Sequence, residues 1–143
     1  MIRALTLQQP WADAVCFYGK RVENRTWVPP AALLGHFLAI HGGKTYDHDA
    51  ARHLAGEGYP LSPRDDRLGA VVAVARLVGV TRDPAELGPT QTEWWCGPIG
   101  WMLAEVHAID PVPCRGGQGL WKLPADVHAV VRERYWLAVA SVP

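Results

Sequence analysis

The chain has 143 residues, of which 49% are hydrophobic, so it can bury a core of its own as a single domain spanning residues 1–143. Fourteen Lys and Arg balance fourteen Asp and Glu, which excludes the broad basic field that drives binding to long nucleic-acid duplexes. The sequence has no apolar run of membrane-spanning length and no secretory signal pattern at its start, so we expect a cytoplasmic protein without a membrane partner.

The first part of the chain predicts a strand, a helix and a second strand. Residues 4–7 are short and apolar, and Pro10 is suited to the first position of a helix. The apolar stripe of this helix would be formed by Trp11, Ala14, Val15 and Tyr18. Gly19 can end the helix in a left-handed conformation, and residues 21–27 then favour a strand.

The next segments predict a strand, a helix and a loop. Residues 35–41 favour a strand that ends in a turn at Gly42-Gly43, and Asp47 is suited to cap a short helix. The buried face of that helix would consist of Ala50, Ala51, Leu54 and Ala55. Residues 56–67 mix Gly, Pro, Ser and charge, which is typical of a surface loop.

The second half of the chain favours strands. Residues 69–80 form an almost unbroken apolar run, as in a strand buried on both faces, whereas residues 81–98 have no clean period. Residues 101–109 predict a long strand, residues 124–134 a helix, and residues 135–142 a closing strand. The helix would turn inward the side chains of Val127, Val130 and Val131.

Together these elements predict an α+β fold. Five or six strands and about three short helices are not regularly interleaved as βαβ units would require. We therefore expect a small mixed β-barrel with the helices on its outside and a ligand site among its loops.

The cysteines and histidines predict neither a metal site nor a cofactor. Cys16, Cys96 and Cys114 are an odd number without a close pair, which favours reduced thiols. His48 and His53 lie five apart on the predicted helix and cannot share a metal there. Motifs of zinc hydrolases, nucleoside triphosphatases and α/β-hydrolases do not occur.

The densest polar cluster follows the first helix. Glu23, Arg25 and Trp27 would share one face of a regular strand, and Lys20 would lie on the other. Lys20 can therefore join Glu23 only if the chain turns at the junction between helix and strand. Alternating charges on an exposed strand, or an ion pair that holds the junction, would give the same pattern.

Five segments in this order resemble an ASCH domain, which belongs to the PUA-like group. The segments are Gln8-Gln9-Pro10-Trp11, Lys20-x-x-Glu23-x-Arg25-x-Trp27, Ile40-His41-x-Gly43-Lys44, Gly100-Trp101 and Gln118-Gly119-Leu120-Trp121. The resemblance extends from about Leu5 to Trp121. Tyr18 stands at the first glycine position of the usual Gly-x-Lys-x-x-Glu signature.

The resemblance implies a PUA-like barrel with a cleft beside the signature that binds RNA or modified nucleosides. Small bacterial relatives that hydrolyse acetylcytidine use a lysine at the position of Lys20, a threonine at the position of Glu23 and a downstream glutamate. Lys20 and Glu23 are therefore candidate catalytic residues, and the replacement of threonine by glutamate argues against the same amidohydrolase arrangement.

The residue types also suit a pocket for a nucleobase. Lysine and arginine donate hydrogen bonds, glutamate accepts them, glutamine does both, and bases stack on tryptophan. His41 could hold a phosphate or act as an acid, or could be a hydrogen-bonded structural histidine. Trp11, Trp101 and Trp136 lie in apolar patterns that favour the core as the alternative to ligand contact. The predicted ligand-binding residues are Gln8, Trp11, Arg25, Trp27, His41, Lys44, Trp94, Trp95 and Gln118.

Three functions remain open from the sequence. The first is a module that binds single-stranded RNA or a modified nucleoside, and the second is a metal-independent hydrolase of acetylcytidine or RNA that uses Lys20 and Glu23. The third is a protein-interaction domain. For a strand, the basic residues Lys20, Arg21 and Arg25 predict only two or three phosphate contacts and a shallow salt dependence.

Overall fold

The computed structural model describes residues 2–61 and 64–142, so residues 62 and 63 of the predicted 56–67 loop lie outside it. The strands are β1 Arg3–Gln9, β2 Val22–Arg25, β3 Phe37–Tyr46, β4 Ala70–Thr81, β5 Ile99–Pro113 and β6 Leu120–Lys122. The helices are α1 Trp11–Phe17, α2 His48–Gly56 and α3 Ala125–Ala140.

The strands form one mixed sheet with the order β2-β5-β4-β3-β1-β6. β1 and β3 are parallel, and the other neighbouring strands are antiparallel. β2 and β6 are the two edges and do not pair with each other in the described part of the chain. The α+β class with three helices is thus confirmed, but the predicted closure of the sheet into a barrel is not.

The core forms on both faces of the central strand β4. From Ala70 to Ala75 no side chain is more than 2% exposed, which confirms the strand predicted from the apolar run. One face packs against α1, where Ala12 and Val15 are buried, and the other packs against Val131 of α3. This arrangement leaves the junction between α1 and β2 at one edge of the sheet.

Helix α1 turns into β2 through a left-handed glycine, as the sequence predicts. Gly19 has a φ of +77° directly after the helix end, a conformation that costs glycine little. Pro10 is the residue before the first helical turn rather than its first member. The strand that follows is shorter than predicted, because only residues 22–25 pair with β5.

Strand β3 continues through Gly42 and Gly43, so the prediction of a turn there is wrong. A Cβ on Gly42 would lie 2.5 Å from the Arg67 carbonyl oxygen and 2.8 Å from Gln9 Nε2, and one on Gly43 would lie 3.1 Å from Thr6 Cγ2. Because neither glycine has a side chain, neighbouring segments can approach the strand closely, which is a common reason for glycine inside a strand.

Replacing Gly42 with alanine should destabilise the fold by about 1–3 kcal/mol, because the backbone of residue 67 blocks the added methyl group. Gly56→Ala is the matched control, since nothing lies within 4 Å of its Cβ position at the end of α2. Urea unfolding should show no loss for the control. Equal midpoints for the two variants would contradict the close approach at Gly42.

The C-terminal segment is helical, so the closing strand predicted for residues 135–142 is wrong. Its aromatic and β-branched residues favour a strand locally. However, Tyr135 and Ala138 follow Val131 at helical spacing and pack with it on the second face of the sheet. These tertiary contacts override the local preference for a strand. Trp136 is 57% exposed and does not lie in the core as predicted.

Helix α2 agrees with the prediction in part, and strand β6 was not predicted. Asp47 caps α2, and its side chain accepts a hydrogen bond from the Ala50 amide at 3.0 Å, as predicted. Ala55 is exposed rather than buried. The three-residue strand β6, which pairs with β1, was missed because it has no apolar run.

No helix in the described residues is long and apolar enough to cross a membrane.

Candidate functional site

A cleft of about 590 Å³ opens beside the junction between α1 and β2. Its walls come from β1, from α1 and β2, from α2 and the residues after it, and from the segment 93–96. The lining residues are Thr6, Gln8, Trp11, Lys20, Glu23, Asn24, Arg25, His53, Leu54, Glu57, Tyr59, Glu93, Trp94 and Cys96.

Three charged side chains of the predicted motif meet at the floor of this cleft. Lys20 Nζ donates to Glu23 Oε1 at 3.0 Å and to the Val22 carbonyl at 2.5 Å. Arg25 Nη2 donates to the Thr6 carbonyl at 2.8 Å and forms a salt bridge with Glu23 Oε2 at 3.0 Å. Lys20 reaches Glu23 because it precedes β2 and is free of the alternation of the strand.

The floor offers hydrogen-bond donors. Lys20 and Glu23 are 2% and 8% exposed, so their charges are stable there only because each has a partner. Two of the three Lys20 ammonium protons are used. Arg25 Nε is the one buried side-chain nitrogen or oxygen without a partner in the described chain. Buried donors are nearly always paired, so this unpaired N–H is an exception among the described residues.

Two of the predicted tryptophans line the cleft. Trp94 is 5% exposed and packs against Tyr59 with ring centroids 5.4 Å apart. Trp11 lies with its ring centroid 5.9 Å from Lys20 Nζ. These rings provide apolar walls above a charged floor.

Trp27 and Trp95 do not line the cleft, although both were predicted to bind ligand. Trp27 packs edge-on against the fully buried Trp101, with centroids 4.7 Å apart, and Trp95 packs over the backbone at Gly97 and Gly100. Their roles in this structure are packing roles.

Of the other predicted ligand-binding residues, one lines the cleft and three lie outside it. Gln8 lines the cleft, whereas Lys44 and Gln118 are exposed and lie outside it. His41 is 1% exposed and lies behind Thr6, away from the cleft lining.

His41 belongs to a buried network that joins three segments. Its Nε2 lies 2.7 Å from the Cys114 carbonyl, which can only accept, so Nε2 carries the proton and Nδ1 accepts from the Thr6 hydroxyl at 3.2 Å. Trp121 Nε1 donates to the same hydroxyl oxygen at 3.1 Å. Burial lowers the pKa of His41, and its bond to Cys114 partly opposes this. Both ring nitrogens of His41 are therefore engaged within the chain, as in a hydrogen-bonded structural histidine.

The basic residues at 20–25 do not form an open cationic patch. Arg21 Nη1 donates to the carbonyl oxygens of Val15 and Lys20, each at 2.9 Å, and so binds the C-terminal end of α1. Lys20 and Arg25 are both engaged by Glu23. Each of the three basic side chains thus has a partner within the chain, and the two or three phosphate contacts stay a prediction.

Asn24, which sequence reasoning missed, fixes one wall of the cleft. Its Nδ2 donates to the Trp94 carbonyl at 2.9 Å, and its Oδ1 accepts from the amides of Cys96 and Gly97 at 2.8 and 3.0 Å. These bonds hold Trp94 in place. The only sequence signal was the position of Asn24 inside the charged motif.

The thiols differ in accessibility, which gives a test of the cleft. Cys96 is exposed in the cleft lining, whereas burial raises the pKa of Cys16 to about 12. At pH 8 Cys16 is therefore almost entirely in the thiol form, whereas the thiolate is the reactive form. Iodoacetamide should therefore modify Cys96 first, as read by peptide mass mapping with Cys96→Ser as control. Equally rapid modification of Cys16 in the folded protein would contradict its burial.

Within residues 2–61 and 64–142, no three His, Cys, Asp or Glu side chains come together in a way that could hold a metal ion.

Solved structures with the same fold include those of an ASCH protein. The crystal structure of ASCH from Zymomonas mobilis matches with a TM-score of 0.55 and 16% identity over 92% of this chain and 93% of that one. Two mutants of that protein match with the same TM-score and identity, over 94% and 96% of their chains. No family model and no curated protein matches the sequence. The ASCH resemblance is thus confirmed at the level of the fold.

Proposed function

We propose that this chain, which has the ASCH fold, binds the base of a modified nucleoside or of a single-stranded RNA in the cleft at Lys20, Glu23 and Arg25. The observation that carries the proposal is the convergence of this ion network with two tryptophans in one cleft. A volume of about 590 Å³ lies in the usual range of small-molecule sites.

The arrangement of the cleft matches the chemistry of a base. The floor presents N–H donors of Lys20 and Arg25, which suit the carbonyl oxygens and ring nitrogens at the edge of a base. Trp11 and Trp94 supply apolar surface on which a planar ring can stack, for about 1–3 kcal/mol per base. Gln8 adds a group that both donates and accepts.

The ion network favours binding over catalysis. The Lys20 ammonium donates to a carboxylate and a carbonyl, so its nitrogen has no lone pair available for a general base. Glu23 has both oxygens engaged by cations. We therefore regard hydrolysis as the second candidate and test it separately.

A thermal-shift screen against nucleosides tests the proposal. The panel contains the four ribonucleosides and acetylcytidine, and we expect at least one to stabilise the fold, by about 2.7 kcal/mol at a concentration of 100 Kd. Arg25→Met should lose the response, whereas Lys44→Met removes a cation outside the cleft and should keep it. No response to any nucleoside or short RNA would instead favour a protein-interaction domain.

Replacing Glu23 with threonine distinguishes a binding protein from a hydrolase. We expect the wild-type chain to leave acetylcytidine and a short RNA intact. Glu23→Thr should change the affinity for the nucleoside, because it removes the partner of Lys20 and Arg25. Chromatography after incubation detects both hydrolysis of acetylcytidine and cleavage of the RNA. Release of cytidine or cleaved RNA by the wild type would contradict a purely binding role, and release by the variant alone would indicate a dormant amidohydrolase site.

A further inference from the structure

The outer part of the cleft is acidic. Glu57 and Glu93 are both exposed and line the cleft from opposite segments, at the end of α2 and in the 92–94 turn. Tyr59 lies between these segments in the chain and donates its hydroxyl to Glu93 Oε1 at 3.3 Å. Burial raises the pKa of Tyr59, and the charges of Glu93 and Glu57 raise it further. Both carboxylates therefore lie near the Tyr59 hydroxyl in the cleft lining.

Among the residues that the structure describes, neither Glu57 nor Glu93 forms an ion pair with a cation. The lining contains two cations, Lys20 and Arg25, and three carboxylates, of which Glu23 alone engages both cations. His53 also lines the cleft but forms no ion pair with a carboxylate in the described chain. Glu57 caps the C-terminus of α2, where the helix dipole adds negative potential.

The depth of each group determines which part of a ligand meets the rim. The donors lie at the buried floor and the aromatic rings lie along the walls, so a bound base points its polar edge inward. The sugar attached to that base then emerges at the mouth, beside Glu57 and Glu93. A 5′-phosphate on that sugar would place a dianion next to two carboxylates.

We propose that Glu57 and Glu93 are specificity-determining residues that make this cleft select unphosphorylated nucleosides over nucleotides. The inference rests on the proposed function, since it requires the base to bind at the floor. Like charges about 4 Å apart in water repel enough to change affinity severalfold. For a phosphate beside two exposed carboxylates we expect about tenfold weaker binding at low salt, and less at high salt.

Calorimetric titration of matched ligands tests the inference. The probes are cytidine, uridine, adenosine, guanosine, acetylcytidine and their 5′-monophosphates, at low and high salt. The Glu57→Gln/Glu93→Gln double variant removes the rim charge but keeps the acceptor for Tyr59. Its control, Glu86→Gln/Glu133→Gln, removes two exposed charges that lie outside the cleft and so makes the same change in net charge.

Each outcome decides a separate point. A nucleoside that binds about tenfold more tightly than its monophosphate in the wild type and control, with the ratio near one in the rim variant, supports the inference. Equal or tighter binding of the monophosphate by the wild type overturns the inference and leaves the proposed function standing. A ratio that persists in the rim variant also overturns it. Failure of every probe to bind overturns the proposed function and the inference together.

Discussion

Replacing Glu23 with alanine should destabilise the protein by about 3–5 kcal/mol, because it leaves a buried ammonium without its counterion. Lys20 is 2% exposed, and after the substitution its ammonium would keep only the Val22 carbonyl. Arg25 would lose the same carboxylate but is 22% exposed and can gain water. The loss should appear as a lower urea midpoint with an unchanged slope.

A double-mutant cycle identifies the buried charge as the cause. Lys20→Met removes the ammonium and leaves Glu23 paired with Arg25, so it should cost less than Glu23→Ala. Combining Lys20→Met with Glu23→Ala should cost clearly less than the sum of the two single losses, because the double variant no longer buries an ammonium without its counterion. Strictly additive losses in the cycle would contradict direct coupling of Lys20 and Glu23.

Replacing Asp13 with alanine should destabilise the fold by a similar amount, about 3–5 kcal/mol. Arg67 is 4% exposed, and its Nε donates to Asp13 Oδ1 at 2.6 Å. The same oxygen accepts from Gln9 Nε2 at 3.1 Å. The substitution therefore leaves a buried guanidinium without a counterion, which keeps a contact of Nη2 with Cys16 Sγ at 3.3 Å and lies over the Phe17 ring, 4.7 Å from its centroid.

The Asp13 variant also separates stability from binding. Asp13 and Arg67 do not line the cleft, so Asp13→Ala should lower the unfolding midpoint while the protein that stays folded binds nucleoside with wild-type affinity. Titration well below the unfolding temperature measures this. Loss of binding in both the Asp13 and the Glu23 variants, with equal stability losses, would mean that Glu23 acts only through the fold.

Sequence patterns correctly predicted those elements whose local preference agrees with their packing in the fold. The apolar run of β4, the helical stripe of α1 and the glycine at its end all recur in the structure. The Lys20-to-Arg25 motif lines one cleft with Gln8, Trp11 and Trp94, as expected of a site built around one junction.

The predictions failed where distant contacts decide. Gly42 and Gly43 look like a turn, and their need for close approach is visible only once residues 6, 9 and 67 are placed. Residues 135–140 favour a strand until α3 packs on the sheet. Glu57 and Glu93 are 36 residues apart in sequence numbering and carry no motif, so their meeting at the rim depends on the positions of α2 and the 92–94 turn.

A crystal structure with the most stabilising nucleoside of the panel tests the central claim most directly. We predict the base between Trp11 and Trp94, with an acceptor atom within about 3.2 Å of Lys20 Nζ or an Arg25 nitrogen. The sugar should point towards Glu57 and Glu93. Density for the nucleoside outside the cleft, or a base in the cleft whose polar edge faces solvent instead of Lys20 and Arg25, would contradict the account.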